Sequence, residues 1–179
     1  MTRSRNNNNI YLIGPMGVGK STVGRQLART RNWSFIDSDR EIETRTGVSI
    51  ATVFEYEGEA GFRKREQAVI KDVVLQTPVV LATGGGVVLS QANREALRAH
   101  GFVVYLTCSV DKLVHRTRSD TERPLLQTTD RRQRIEALLH ERESLYQQCA
   151  HFVVDTGNHP TKAAVALILR AFDERQKTI

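Results

Sequence analysis

The sequence is short of several things, and each shortage closes off a class of protein. It has two cysteines, Cys108 and Cys149. They lie far apart and form no metal-binding or redox motif, so a reducing, cytoplasmic setting is expected. The five histidines have no ligand spacing and read as scattered surface residues. No apolar run approaches the roughly 18 residues of a membrane span, so no membrane partner is expected. Residues 1–9 are polar and have no apolar stretch, which argues against a secretory leader; residues 1–8 read as a disordered tail. No helix-turn-helix signature or RNA-binding aromatic motif is present. The 26 basic residues outnumber the 20 acidic ones, a net charge of +6, and the pI is about 9.7. These charges are interleaved along the chain rather than gathered in a block. A basic site for small anionic substrates therefore explains the excess without nucleic acid. Internal repeats and interdomain linkers are also missing, so residues 1–179 read as one domain with a substantial core.

What is there centres on Gly14-Pro15-Met16-Gly17-Val18-Gly19-Lys20-Ser21-Thr22. It fits G-x-x-x-x-G-K-[ST], a phosphate-binding loop. The apolar run Ile10–Ile13 precedes it as a strand, and Val23, Leu27 and Ala28 follow at helical spacing. Gly14, Gly17 and Gly19 let the backbone turn sharply, so successive N–H groups can face one concavity at a helix N-terminus. Lys20 can reach terminal phosphates, and the Ser21 hydroxyl can ligate Mg²⁺. A dinucleotide fingerprint fails because its third glycine position holds Thr22.

Trp33–Ile36 reads as a second strand ending in Asp37-Ser38-Asp39, where open α/β sheets bind ligands. Two acids beside a phosphate loop suit metal or hydroxyl binding, although Ser38 or Asp39 could also cap the next helix. Gly47 closes that helix. Ser49 opens another through Val53 and Phe54, and a long helix is expected from Glu59 to Gln76. Arg63 borders its apolar face with Glu59 and Glu66 in reach, the setting of a salt-bridged surface arginine. Val79–Ala82 is apolar throughout and reads as a central strand. It ends in Thr83-Gly84-Gly85-Gly86, where absent side chains would let a ligand meet the backbone. Ser90 caps a helix stopped by Gly101, and Phe102–Leu106 forms a fourth strand. No acid follows that strand, as a motor ATPase would need, and no N-K-x-D guanine motif is visible. Residues 117–130 form a polar, lid-like stretch. In the helix over 131–149, Arg142 falls inside the apolar stripe of Ile135, Leu138, Leu139, Leu145 and Tyr146, so it either snorkels out or meets a buried anion. A fifth strand, Phe152–Val154, and a closing helix, Ala163–Phe172, complete the chain. The pattern predicts an α/β fold: a largely parallel, five-stranded sheet with helices on both faces, housing a small phosphotransferase.

Taken in chain order, Gly14–Thr22, Asp37–Asp39, Gly58–Arg63, Gly84–Gly86, Arg123–Leu126 and the Arg142/Tyr146 pair resemble the shikimate kinase family over nearly the whole length. The resemblance implies a three-layer α/β/α, nucleoside-monophosphate-kinase-like P-loop fold. It also implies transfer of the ATP γ-phosphate to the 3-hydroxyl of shikimate, in chorismate and aromatic amino acid biosynthesis, with ATP as co-substrate and Mg²⁺ as cofactor. By this resemblance Ser21 and Asp37 serve the metal, Asp39 binds substrate hydroxyls and can take the proton as a catalytic residue, and Arg63 and Arg142 clamp the carboxylate. Gly84, Gly85 and Gly86 approach the ring, walled by Phe54 and Phe62 on the substrate-binding helices (38–76). Lys20 and Arg123 stabilise the transferring group. Gly17, Val18, Gly19, Lys20, Ser21 and Thr22 bind the phosphates, while Arg116 and Pro160 sandwich adenine. A monomer is expected. Two other readings stand beside it: a P-loop kinase of another small hydroxyl acid such as gluconate, and a nucleic-acid-binding protein.

Overall fold

The computed structural model describes residues 8–121 and 123–178; the expected tail before Asn8, and Glu122 of the lid-like stretch, lie outside the described residues. Five parallel strands run in the order β2-β3-β1-β4-β5. They are β1 (Asn9–Ile13), β2 (Ser34–Asp37), β3 (Val79–Ala82), β4 (Phe102–Thr107) and β5 (Phe152–Asp155). β1 takes the middle position, and β3, expected to be central, is its inner neighbour. Both are buried along their whole length, as strands covered on two faces must be. Alternation along β1 sends Ile10 and Leu12 to one core and Tyr11 and Ile13 to the other.

Helices cover both faces. α1 (Lys20–Arg31), α5 (Val110–Arg116) and α7 (Thr161–Gln176) pack into the first core. α2 (Ser38–Thr46), α3 (Ile50–Val73) and α4 (Gln91–His100) pack into the second. α6 (Arg131–Cys149) closes the end of the sheet, giving Ile135 and Leu138 to one core and Tyr146 and Cys149 to the other. The three-layer expectation holds.

Several boundaries move, each for a physical reason. Trp33 lies outside β2; its ring meets Phe172 edge-on at 5.6 Å. The cap of α2 is Asp37, not Ser38 or Asp39: its carboxylate accepts from the N–H groups of Asp39 and Arg40. The two helices expected around Gly58 run on as α3 with a kink there, because Gly58 holds φ 68° and ψ −177°. The helix stops at Val73 rather than Gln76. Ser49 and Ser90 cap as expected, each accepting from the backbone N–H three residues on. His151 is no surface histidine. It accepts a hydrogen bond from the Val103 N–H at 3.0 Å, and burial, with Arg175 and Arg98 nearby, pushes its pKa down to about 4.

Candidate active site

The phosphate loop joins β1 to α1 at the C-terminal edge of the sheet. Gly14 has φ +140°, and a Cβ there would collide with the Leu106 carbonyl oxygen. Gly17 has φ +79°, and a Cβ there would stand 2.6 Å from Thr117. The loop can keep its course only with glycine at both points. Lys20 is buried inside it and donates to the carbonyls of Gly14 at 2.7 Å and Pro15 at 2.8 Å. Burial, aided by Arg123, lowers its pKa to about 7 against the opposing pull of Asp39 and Asp37. A cation that is costly to keep charged when desolvated is well placed to meet an anion.

A cavity of about 530 Å³ opens over the loop. Gly17, Val18, Gly19, Lys20, Ser21 and Thr22 line it, together with Arg116 and Pro160. Arg116 is anchored there, donating to the Val18 carbonyl at 3.2 Å and the Thr156 carbonyl at 3.1 Å. Thr156 and His159, in the loop that runs to Pro160, line the same cavity. Thr156 is buried, and its hydroxyl donates to the Val18 carbonyl at 2.7 Å, tying the loop after β5 to the phosphate loop. Only the pairing of distant segments reveals that bond.

A second cavity of about 270 Å³ adjoins the first. Asp39, Phe54, Phe62, Arg63, Gly84, Gly85, Gly86 and Arg142 all line it, so the structure brings together every residue expected at the acceptor site. Phe54 and Phe62 face each other with ring centroids 4.7 Å apart. Arg142 is 4% exposed, which resolves the arginine in an apolar stripe: it turns into the cavity. Arg63 is salt-bridged, to Glu66 at 2.8 Å and Glu59 at 3.0 Å, yet it too lines the cavity. Asp39 Oδ1, Arg63 Nε, Glu66 Oε1 and Arg142 Nε are buried without a hydrogen-bond partner. Polar atoms desolvated in this way are costly unless something polar meets them, so the cavity suits a ligand carrying both a carboxylate and hydroxyls.

Glu66 was seen in sequence only as an ion-pair partner, but it is a wall of this site, 1% exposed. Burial raises its pKa, with Arg63 pulling the other way. The Asp39 carboxyl is likewise raised, first by burial and then by Asp37, against Lys20, Arg123 and Arg63. The glycine triplet has a further cause that sequence could not supply. A Cβ on Gly84 would sit 2.9 Å from both Asp39 Oδ1 and Glu66 Oε1, and one on Gly86 would strike the Arg63 guanidinium. These glycines make room for the site's own charged side chains. Gly85 is held differently, through its carbonyl, which accepts from the Tyr146 hydroxyl.

The cavities meet where Ser21, Asp37, Asp39, Gly84, Gly85 and Arg123 line both. Ser21 donates to Asp37 Oδ2 at 2.6 Å at this junction. A phosphate loop opening onto a charged pocket for a small polar molecule defines a P-loop kinase of small metabolites. The chain belongs to the shikimate kinase family, whose model matches residues 16–173. A curated shikimate kinase from Methylococcus capsulatus is 56% identical over 170 residues, covering 95% of each chain. A solved shikimate kinase from Acinetobacter baumannii in complex with shikimate is 44% identical with a TM-score of 0.91, covering 93% of each chain. A gluconokinase from Sinorhizobium meliloti is 17% identical with a TM-score of 0.57 over 95% of this chain and 96% of its own, a likeness of fold alone. Among the described residues no helix is long and apolar enough to cross a membrane.

Proposed function

We propose that the protein transfers the γ-phosphoryl group of ATP to the 3-hydroxyl of shikimate, releasing shikimate 3-phosphate and ADP. The observation that carries this reading is the shared wall of the two cavities, where Asp37, Asp39, the phosphate-loop Ser21 and Arg123 line both. The larger cavity takes ATP, with its phosphates on the backbone of residues 17–22 and its base near Arg116 and Pro160. The smaller takes shikimate, whose carboxylate answers Arg63 and Arg142 and whose hydroxyls answer Asp39.

In the transfer, the 3-oxygen of shikimate forms a bond to the γ-phosphorus and the bridging bond to the β-phosphate breaks. Asp39, more basic than an ordinary carboxylate because it is buried, accepts the hydroxyl proton. Lys20 and Arg123 stabilise charge on the transferring group. The Ser21 hydroxyl and the Asp37 carboxylate are adjacent hard oxygen donors that would hold Mg²⁺. The ion supplies charge neutralisation at the phosphates when bound. Residues 117–130 act as the lid over both cavities, and the protein works as a cytoplasmic monomer without a nucleic-acid partner. A coupled ADP-release assay run with shikimate, gluconate and nucleoside monophosphates tests the assignment. Shikimate should support turnover far above the others; a faster rate with gluconate or a nucleotide would overturn it.

A further inference from the structure

One acidic side chain beside the junction has no place in the transfer described above. Asp120 lines the acceptor cavity, and its Oδ2 forms an ion pair with Arg123 Nε at 2.5 Å. That contact occupies one edge of the guanidinium. Arg123 lines both cavities.

Asp120 is itself secured from two directions. Its N–H donates to the Thr117 carbonyl at 3.0 Å, closing a tight turn. Arg131, the first residue of α6, reaches back with one nitrogen to the Thr117 carbonyl and with the other to the Asp120 carbonyl at 3.2 Å. The turn also leans on the phosphate loop, where Thr117 takes the space a side chain at Gly17 would need. Arg123 is extended, with φ −95° and ψ 109°, and followed by Pro124; its carbonyl accepts from the Leu126 N–H at 3.0 Å, a bond that fixes the backbone and leaves the side chain unconstrained. A flexible side chain on such a segment needs an external anchor to act as a preorganised charge.

We propose that Asp120 is the positioning residue of Arg123, gripping Nε so that the open side of the guanidinium faces the transferring phosphoryl group, with Arg131 fixing the turn that carries it. The inference rests on the reading of Arg123 as a residue that touches that group. Asp120 does not touch the reacting atoms and acts through Arg123.

The test is steady-state kinetics of the full chain for Asp120→Ala, Asp120→Asn, Arg123→Ala and the Asp120→Ala/Arg123→Ala double variant, with melting temperatures alongside. Asp111→Ala is the control, since Asp111 makes a comparable but exposed ion pair with Arg132. Misplacing a catalytic charge typically costs tenfold to a hundredfold, so Asp120→Ala should lower kcat by at least about tenfold, with KM for ATP and shikimate changed less than about threefold. Asp120→Asn, which keeps an acceptor, should recover part of the loss, and Asp111→Ala should match the parent. The double variant should be no slower than Arg123→Ala alone, because the two act as one unit. A wild-type kcat in folded Asp120→Ala, with Arg123→Ala still slow, overturns the positioning role while leaving Arg123 in place. Additive losses in the double variant, or a raised kcat in Asp120→Ala, also overturn it. A wild-type kcat in Arg123→Ala removes Arg123 from the transfer and the proposal with it.

Discussion

The nucleotide half and the acceptor half of this site are built on opposite plans. The nucleotide half is nearly contiguous: one strand, one loop and one helix supply residues 14–22, and Lys20 bonds carbonyls five and six residues away. In the proposed reading its chemistry rests on backbone N–H groups and Lys20, with Arg123 added from the polar stretch after α5. The acceptor half collects Asp39 from α2, Arg63 and Glu66 from α3, the glycines after β3 and Arg142 from α6. Its chemistry is carried by buried charges that balance one another. A loop of the first kind takes most of its shape from itself, with Arg116 and Thr156 tying it to the rest of the fold. A pocket of the second kind depends on every element that delivers a charge to it.

The largest expected effect falls on the nucleotide side. Lys20→Ala should fold normally and lose on the order of 100-fold or more in kcat, the usual cost of removing a charge aimed at a transition state. Near-normal turnover in a folded variant would dissolve the contrast by taking the lysine out of the chemistry. On the acceptor side, Arg142→Ala should weaken shikimate binding by about 2–5 kcal/mol, because it strands one half of a desolvated charge pair. Affinity for an ATP analogue should hardly change, and titration calorimetry reads both. Arg142→Lys should restore only part, since it keeps the charge and loses the planar fork. If the ATP analogue suffers and shikimate does not, the two halves have been wrongly divided.

The glycines offer a finer comparison. Gly86→Ala places a methyl on the Arg63 guanidinium, the flexible end of its side chain, so the guanidinium must leave its place in the cavity. Gly85→Ala meets nothing closer than Met16 at 3.4 Å, an ordinary contact. Shikimate affinity should therefore fall much further in Gly86→Ala than in Gly85→Ala. The reverse order would mean that close approach of ligand to backbone, as the sequence suggested, outweighs the room these glycines make for side chains.

The smallest effect is a proton count. In the free protein Lys20 loses its charge as pH rises through about 7, and phosphates bound beside it favour the charged form. Binding an ATP analogue should therefore take up protons, negligibly at pH 6, about half a proton at pH 7 and close to one at pH 8. Calorimetry in buffers of different ionisation enthalpy measures this directly. Lys20→Ala should abolish the uptake. Uptake that persists in that variant would assign it to another group.

The amino-acid sequence by itself determined whatever depends on neighbours along the chain. The phosphate loop, the caps at Ser49 and Ser90, the apolar strands and the odd placement of Arg142 were all legible, because strand and helix periods and turn chemistry act over a few residues. Arg142 in particular stood out through a break in pattern, though the sequence left open whether it snorkelled out or was buried; the structure buries it. Tertiary structure alone decided the rest. Asp37 serves at once as the cap of α2 and as the partner of Ser21 because β2 ends beside α1. Glu66 is a wall of the acceptor cavity, not a surface partner, because α3 lays it against Gly84. Thr156 and His159 reach the nucleotide cavity because β5 pairs with β4 and ends over the phosphate loop. Burial, and with it the direction of every shifted pKa here, is set by atoms arriving from distant parts of the chain, and no local pattern encodes it.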